Sequence, residues 1–289
     1  MSFGLPPRDE PRLTYGGYLK VRELISLQQL LSDPRQHDEM LFIIIHQVYE
    51  LWFKELLHEL DTIIERFNAD QPLDAHRLVQ RCIEIERVLV DQIAVLETMM
   101  PTDFLAFRDH LMPASGFQSF QFREIEYISG LKDARFLKNY DPNSKEHARL
   151  EARLSQPSLA DAFYAMLRRR GFNLPEVSTA SGGERSANSE GPKEEAGQQR
   201  ISELKRIYQD AERHYELFLL TESLIEYDEM FSMWRLRHIK MVERMIGSKT
   251  GTGGSEGAAY LKKTVERQFF PELWELRSYL SKKSSGSED

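Results

Sequence analysis

The chain has 289 residues, of which 41% are apolar, with 38 Lys and Arg against 46 Asp and Glu for a formal charge of −8, and one cysteine. That length allows one large domain or two small ones. The acidic balance gives nucleic acid and anionic membrane no electrostatic hold, and a lone Cys82 rules out intramolecular disulfides and cysteine-rich metal clusters. No window reaches the roughly 18 uninterrupted apolar residues of a membrane span, mean hydropathy is −0.50, and MSFGLPPRDEPR lacks the apolar run of a secretory signal; a cytoplasmic protein is expected.

Residues 1–12, with three prolines and mixed charge, read as a flexible arm. TYGGYLKVRELISLQQLL (14–31) turns at Gly16-Gly17 and then shows helical spacing through Leu24, Leu27, Leu30 and Leu31. Tyr15 and Tyr18 are turn tyrosines or pack on a neighbour. Asp33-Pro34 is an N-cap and first-turn pair for a helix that runs toward Arg66. This helix is apolar almost all round between Met40 and Leu57, the pattern of a helix buried in a bundle. Phe42, His46, Tyr49 and Phe53 lie on one stripe of it, and His46, behind three isoleucines and with no adjacent carboxylate, is expected to be neutral. A second long helix is predicted over 72–99, and a shorter one restarts at Pro101-Thr102, carrying Phe104, Phe107, Arg108 and Leu111.

Residues 113–130 form an aromatic-rich segment opened by Pro and Gly, followed by helical pieces near 133–139, 143–154 and 157–170. The stretch 173–199 has almost no large apolar residue and reads as a polar, low-complexity excursion. From Arg200 the helical pattern resumes and is predicted to run unbroken to Ile246; pieces at 258–270 and 271–280 follow, then a disordered tail at 282–289. No alternating strand pattern and no internal repeat occurs. The expectation is an all-α domain over 13–281, a bundle of long helices.

Chemistry concentrates in Asp228–Gly257. Phe231, Trp234, His238, Met241 and Met245 recur at three- and four-residue spacing and share a face, while Arg235, Arg237 and Lys240 point elsewhere. Five glycines follow, at 247, 251, 253, 254 and 257, with Ser248, Thr250, Thr252 and Lys249 among them. Such a loop can bring backbone N–H groups close to an anion. Taken alone, the stretch fits either a core histidine before a flexible connection or a histidine that holds a metal-bearing cofactor. A di-metal carboxylate site needs two Glu-x-x-His pairs, and Glu55–His58 is the one pair present. Gly247-Ser248-Lys249-Thr250 is not a phosphate loop, because the Lys does not follow the Gly directly and the segment follows a helix. Two apolar-face histidines, an Arg beside phenylalanines and a glycine loop together suit a flat, dianionic cofactor such as heme.

HDEMLFIIIHQVYELWFKELLHEL (37–60), LETMMPTDFLAFRDHLMPASGFQSFQFREIE (96–126) and WRLRHIKMVERMIGSKTGTGGSEG (234–257) closely resemble the tryptophan 2,3-dioxygenases, as do LTYGGYL (13–19) and FFPELWELR (269–277). The resemblance implies a heme-containing helical bundle, with one heme b per subunit of a cytoplasmic homotetramer. It implies opening of the indole ring of L-tryptophan by O₂ to give N-formyl-L-kynurenine. His238 resembles the iron's axial ligand, with Trp234, Ser115 and Gly116 also on the cofactor. His46 resembles the histidine that accepts the indole N–H, with Phe42 and Ile45 as walls. Arg108 resembles the partner of the substrate carboxylate, and Gly251 and Thr252 hold its carboxylate and ammonium ends. Tyr15, Tyr18 and Leu19 resemble a segment lent by a neighbouring subunit. Phe104 departs from relatives that carry a tyrosine there, so one carboxylate contact is absent. Two rivals stay open: a heme oxygenase acting on another aromatic substrate, and a non-catalytic heme sensor or carrier, which needs no amino-acid clamp.

Overall fold

The computed structural model describes residues 13–175, 192–247, 249 and 264–281. Among them there is no strand, and the architecture is an all-α bundle. Its frame is α3 (His37–Asn68), α4 (Pro72–Asp91) and α11 (Tyr215–Ile246), with α4 packed between the other two. At 32 residues each, α3 and α11 are about 48 Å long. α3 buries Tyr49, Phe53, Leu56, Leu60, Ile63 and Phe67. Residues three, four and seven apart lie on one side of a helix, so this set forms a continuous apolar stripe. α4 answers with Leu78, Val79, Cys82, Ile83 and Leu89. Cys82 is fully buried, and burial pushes its thiol well up, which leaves it unreactive packing. No described helix is long and apolar enough to cross a membrane.

The N-terminal stretch is not one helix. Two single turns, α1 (Tyr15–Tyr18) and α2 (Val21–Leu24), flank Lys20 in a left-handed conformation at φ 53°, and Gly16-Gly17 lies inside α1. Nor does α3 begin at Pro34; its N-cap is Gln36. The cause is Glu39, fully buried, whose carboxylate accepts Leu31 N–H at 2.7 Å, Ser32 N–H at 3.1 Å and the Ser32 hydroxyl. Those bonds hold Leu31 and Ser32 beside the first turn of α3 in a non-helical course. Burial disfavours the Glu39 charge, but the three donors outweigh it and hold the carboxyl below its ordinary range.

The second predicted helix divides at Gln92 into α4 and the single turn α5 (Ile93–Leu96). α6 (Pro101–Arg108) opens on Pro101, as expected. A 3₁₀ turn at Gly116–Gln118 leads into α7 (Phe120–Ser129), and 3₁₀ turns at Ala134–Asn139 precede α8 (Lys145–Ser155) and α9 (Leu159–Arg169).

The helix predicted from Arg200 to Ile246 is two helices, α10 (Pro192–Gln209) and α11, joined by a reversal at 210–214. Tyr208 and Phe218 have ring centroids 5.5 Å apart, and the Tyr208 hydroxyl donates to Glu222 at 2.7 Å. In one straight helix residues ten apart would be separated by about 15 Å, so the chain must turn back for these side chains to meet.

α10 also starts earlier than expected: residues 192–199, assigned to the polar excursion, are helical. The other end of that stretch is held too. Leu174 is buried, Asn173 N–H donates to Glu203 at 3.0 Å, and Gln199 donates to the Asn173 carbonyl at 2.9 Å. Of the predicted excursion, 176–191 lies outside the described residues, as do the arm at 1–12, the tail at 282–289 and most of the glycine loop. The helix expected over 258–270 is not present in its described part, 264–270, which is turn and extended chain; a helix resumes at Pro271–Leu276.

Candidate active site

Where α3, α6, the 116–118 turn, α7 and α11 converge they enclose a cavity of about 310 Å³. Of the residues singled out in the sequence, Phe42, His46, Phe104, Arg108, Ser115, Gly116, Trp234 and His238 line it. Each reaches it for a local reason. Phe42 and His46 are four apart on α3, Phe104 and Arg108 four apart on α6, and Trp234 and His238 four apart on α11, so each pair shares a helix face. Ser115 accepts Phe117 N–H at 3.3 Å while its own N–H donates to Gln118 at 3.1 Å, which fixes the turn that carries Gly116.

The rings form a graded wall. Phe42 lies 4.1 Å from His46 by ring centroids, 5.7 Å from Phe104 and 5.6 Å from the buried Phe107. On α11, Trp234 stacks on His238 at 5.3 Å with planes 8° apart. Phe122 of α7 lies 5.3 Å from Trp234 and backs that stack.

Both histidines are neutral. Burial pulls His238 down to about 4, with His46 adding to the effect. Burial also lowers His46, against the raising influence of the Phe42 carbonyl and of Glu50. His46 retains exposed surface because it faces open cavity, although protein encloses it. Its Nδ1 is 2.7 Å from the Phe42 carbonyl oxygen. A carbonyl only accepts, so Nδ1 carries the proton and Nε2 is left as an acceptor. A neutral His238 likewise keeps a lone pair free for a metal.

Three observations bear on whether a planar metal-bearing cofactor fits. Gly116 lines the cavity, yet a Cβ built there would meet nothing within 4 Å, and its φ is not positive, so neither backbone nor packing demands glycine. The Trp234 Nε1 is buried without a hydrogen-bond partner among the described residues. No group of three or more His, Cys, Asp or Glu among the described residues could hold a bare ion. The residues lining the cavity fit a planar group held by a single histidine.

Other residues fall elsewhere. Ile45 packs in the core rather than on the cavity. Tyr15, Tyr18 and Leu19 are 80%, 71% and 45% exposed and do not line this subunit's cavity. Gly251 and Thr252 lie outside the described residues. Arg235, expected to point away, is instead 3% exposed and lines the cavity, because Glu126 meets its charge and its flat guanidinium lies 4.7 Å over Phe231. Arg123 and Glu126 of α7 line it as well and were not anticipated; only the Arg/Glu alternation in FREIE hinted at an ion pair.

Fold and cavity together define a class: an all-α protein whose apolar cavity receives one histidine from each of two long helices. The sequence pattern described as Tryptophan 2,3-dioxygenase matches residues 7–174 and 195–280. Proteins named tryptophan 2,3-dioxygenase align along nearly the whole chain. That of a Nocardioides species is 48% identical, covering 97% of this chain and 98% of its own; that of Herpetosiphon aurantiacus is 44% identical, covering 93% and 98%. That of Myxococcus xanthus is 42% identical, covering 93% and 90%. The chain belongs to the tryptophan 2,3-dioxygenase family.

Proposed function

We propose that the cavity binds one heme b through His238 and that the enzyme opens the indole ring of L-tryptophan with O₂, giving N-formyl-L-kynurenine. The observation that carries this reading is the pair of neutral histidines on one apolar cavity, with the His46 tautomer set by the Phe42 carbonyl. The heme supplies the binding and activation of O₂. His46 Nε2 accepts the indole N–H and holds the ring's orientation, with Phe42 and Phe104 against its faces. Arg108 pairs with the substrate carboxylate, for which a planar fork of donors is suited. Gly251 and Thr252 complete the amino-acid clamp on the family's pattern. Gly116 leaves room for the cofactor edge, beside Ser115 and Trp234. The apolar rings keep water from the reacting bond, which strengthens every polar contact within. The working protein is proposed to be a cytoplasmic homotetramer in which Tyr15, Tyr18 and Leu19 close a neighbour's cavity; their exposure here supports that reading.

The test pairs substrate and cofactor. L-Tryptophan turnover is followed by product absorbance and compared with tryptamine, which lacks the carboxylate. Loss of a buried charge-assisted contact costs on the order of 2–5 kcal/mol, so Arg108→Ala should erase the preference. His238→Ala should lose the histidine-ligated Soret band. Equal kcat/KM for both substrates, or full and normally ligated heme in His238→Ala, would count against the assignment.

A further inference from the structure

Trp234, His238, Met241 and Met245 of α11 meet the cavity, while Asp228, Ser232 and Arg235, spaced by one turn, meet the chain that returns at 265–274; Arg235, at the edge between the two, also lines the cavity. Asp228 accepts Phe269 N–H at 3.0 Å, Phe270 N–H at 3.1 Å and the Trp274 indole N–H at 2.9 Å. The Ser232 hydroxyl donates to the Val265 carbonyl at 3.0 Å. Arg235 donates through Nη1 to the Arg267 carbonyl at 2.9 Å and through Nη2 to Glu126 Oε1 at 3.0 Å. The other oxygen of Glu126 is taken by Arg123. Asp228, Glu126 and Arg235 are each 3% exposed or less.

A dry polar ladder of this kind contributes little net stability over apolar packing, because both charges must be desolvated. Its effect is on geometry. Methyl groups and rings pack at many angles, whereas a charged donor in a dry interior has one partner at one distance. Turning α11 by one residue, about 100°, would leave Arg235 and Asp228 unpaired and Glu126 held by Arg123 alone. The last rung, Arg235, sits three residues before His238, about 4.5 Å along the same rigid helix. The partner helix α7 also supplies Phe122, which backs the Trp234–His238 stack.

We infer that Arg235, locked to Glu126 of α7, is a positioning residue for His238: it sets the rotation of α11 and so the direction in which the imidazole enters the cavity. This rests on His238 being the iron ligand. Removing either partner frees α11 to settle at a different rotation, and the imidazole meets the iron off its best axis.

The experiment uses the heme-loaded enzyme and three variants, Glu126→Gln, Arg235→Met and Arg235→Lys, with Phe172→Leu, buried against His214 and Arg206, as a core change away from the ladder. Two readouts are taken besides melting temperature: the rate of heme loss to a scavenger protein, and the iron–histidine stretching band of the ferrous form. Glu126→Gln and Arg235→Met are expected to lose heme about tenfold faster or more and to shift or broaden the band. Arg235→Lys, which keeps the charge, should recover most of both. Phe172→Leu should lower the melting temperature and leave the band in place. Wild-type heme loss and band in all the ladder variants would overturn the inference, as would an equal band shift in Phe172→Leu. If Arg235→Met does not fold, Glu126→Gln and Arg235→Lys decide by the same criteria. His238→Ala separates the two claims: a normal band in that variant refutes the ligand assignment, whereas its loss beside unaffected ladder variants refutes the positioning role alone.

Discussion

Replacing Glu86 with glutamine should change how stability depends on pH. Glu86 lies in the middle of α4, fully buried, and neither carboxyl oxygen has a hydrogen-bond partner among the described residues. Burial, aided by the charge of Asp228 and opposed by Arg235, pushes its carboxyl well above the ordinary range. The unfolded chain releases this proton near pH 4.3. Below that pH both states hold the proton and the group has no effect on stability. As pH rises further, the folded state keeps a proton that the unfolded state has shed, and folding weakens by about 1.4 kcal/mol per pH unit until the folded group ionises. Glu86→Gln removes the titration, and any cost of burying the amide does not vary with pH. The unfolding free energy of the variant minus that of wild type should therefore grow by up to about 3 kcal/mol between pH 5 and 7. Urea unfolding at pH 5, 6 and 7, followed by far-ultraviolet circular dichroism, measures it. Curves that stay parallel to within about 0.5 kcal/mol would mean that Glu86 is ionised in the folded protein and has a partner.

Gly116→Ala should fold with stability within about 0.5 kcal/mol of wild type yet purify with less heme, since the added Cβ has no protein atom within 4 Å and faces the cavity; absorbance at the Soret band against melting temperature checks it. Replacing 178–190 with a short Gly/Ser link should leave heme content and turnover unchanged, because that sequence has too little apolar surface to offset its ordering entropy. Extending the cut to 197 removes the first turns of α10 and should lower the melting temperature. A Tyr15→Ala, Tyr18→Ala chain and an Arg108→Ala chain, each inactive alone, should regain activity when co-expressed, if one subunit's tyrosines close another's cavity. Mixed oligomers confirmed by mass and no more active than the separate variants would place the segment on its own subunit.

The sequence made the helical class and the cavity's apolar faces legible because both follow from spacing on a single helix. Phe42 with His46, and Trp234 with His238, needed only the rule that residues four apart are neighbours. What spacing misses is where a helix stops for a tertiary reason. Glu39 holds 31–32 out of the helix, and Tyr208 meets Phe218 across a reversal that the apolar pattern runs straight through. Arg235 was misplaced for a related reason: a charge looks solvent-facing until its counter-ion, on a helix more than a hundred residues away, is known. Polarity alone likewise put 192–199 in a loop, although the residues that follow anchor that turn as helix.

The clamp on Asn173 has an evolutionary corollary. Asn173 is pinned to Gln199 and Glu203 inside α10, so the chain leaves the body beside that helix, about 10 Å along it from its start at Pro192. Doubling the length of a tether between fixed ends adds only about 0.6 kcal/mol of closure entropy. Added length there costs little, and the family's shared pattern lapses at 175–194, over that same interval. The site is accordingly a natural socket: a reporter domain spliced in at 183, or new termini opened there by circular permutation, would burden the helical body little.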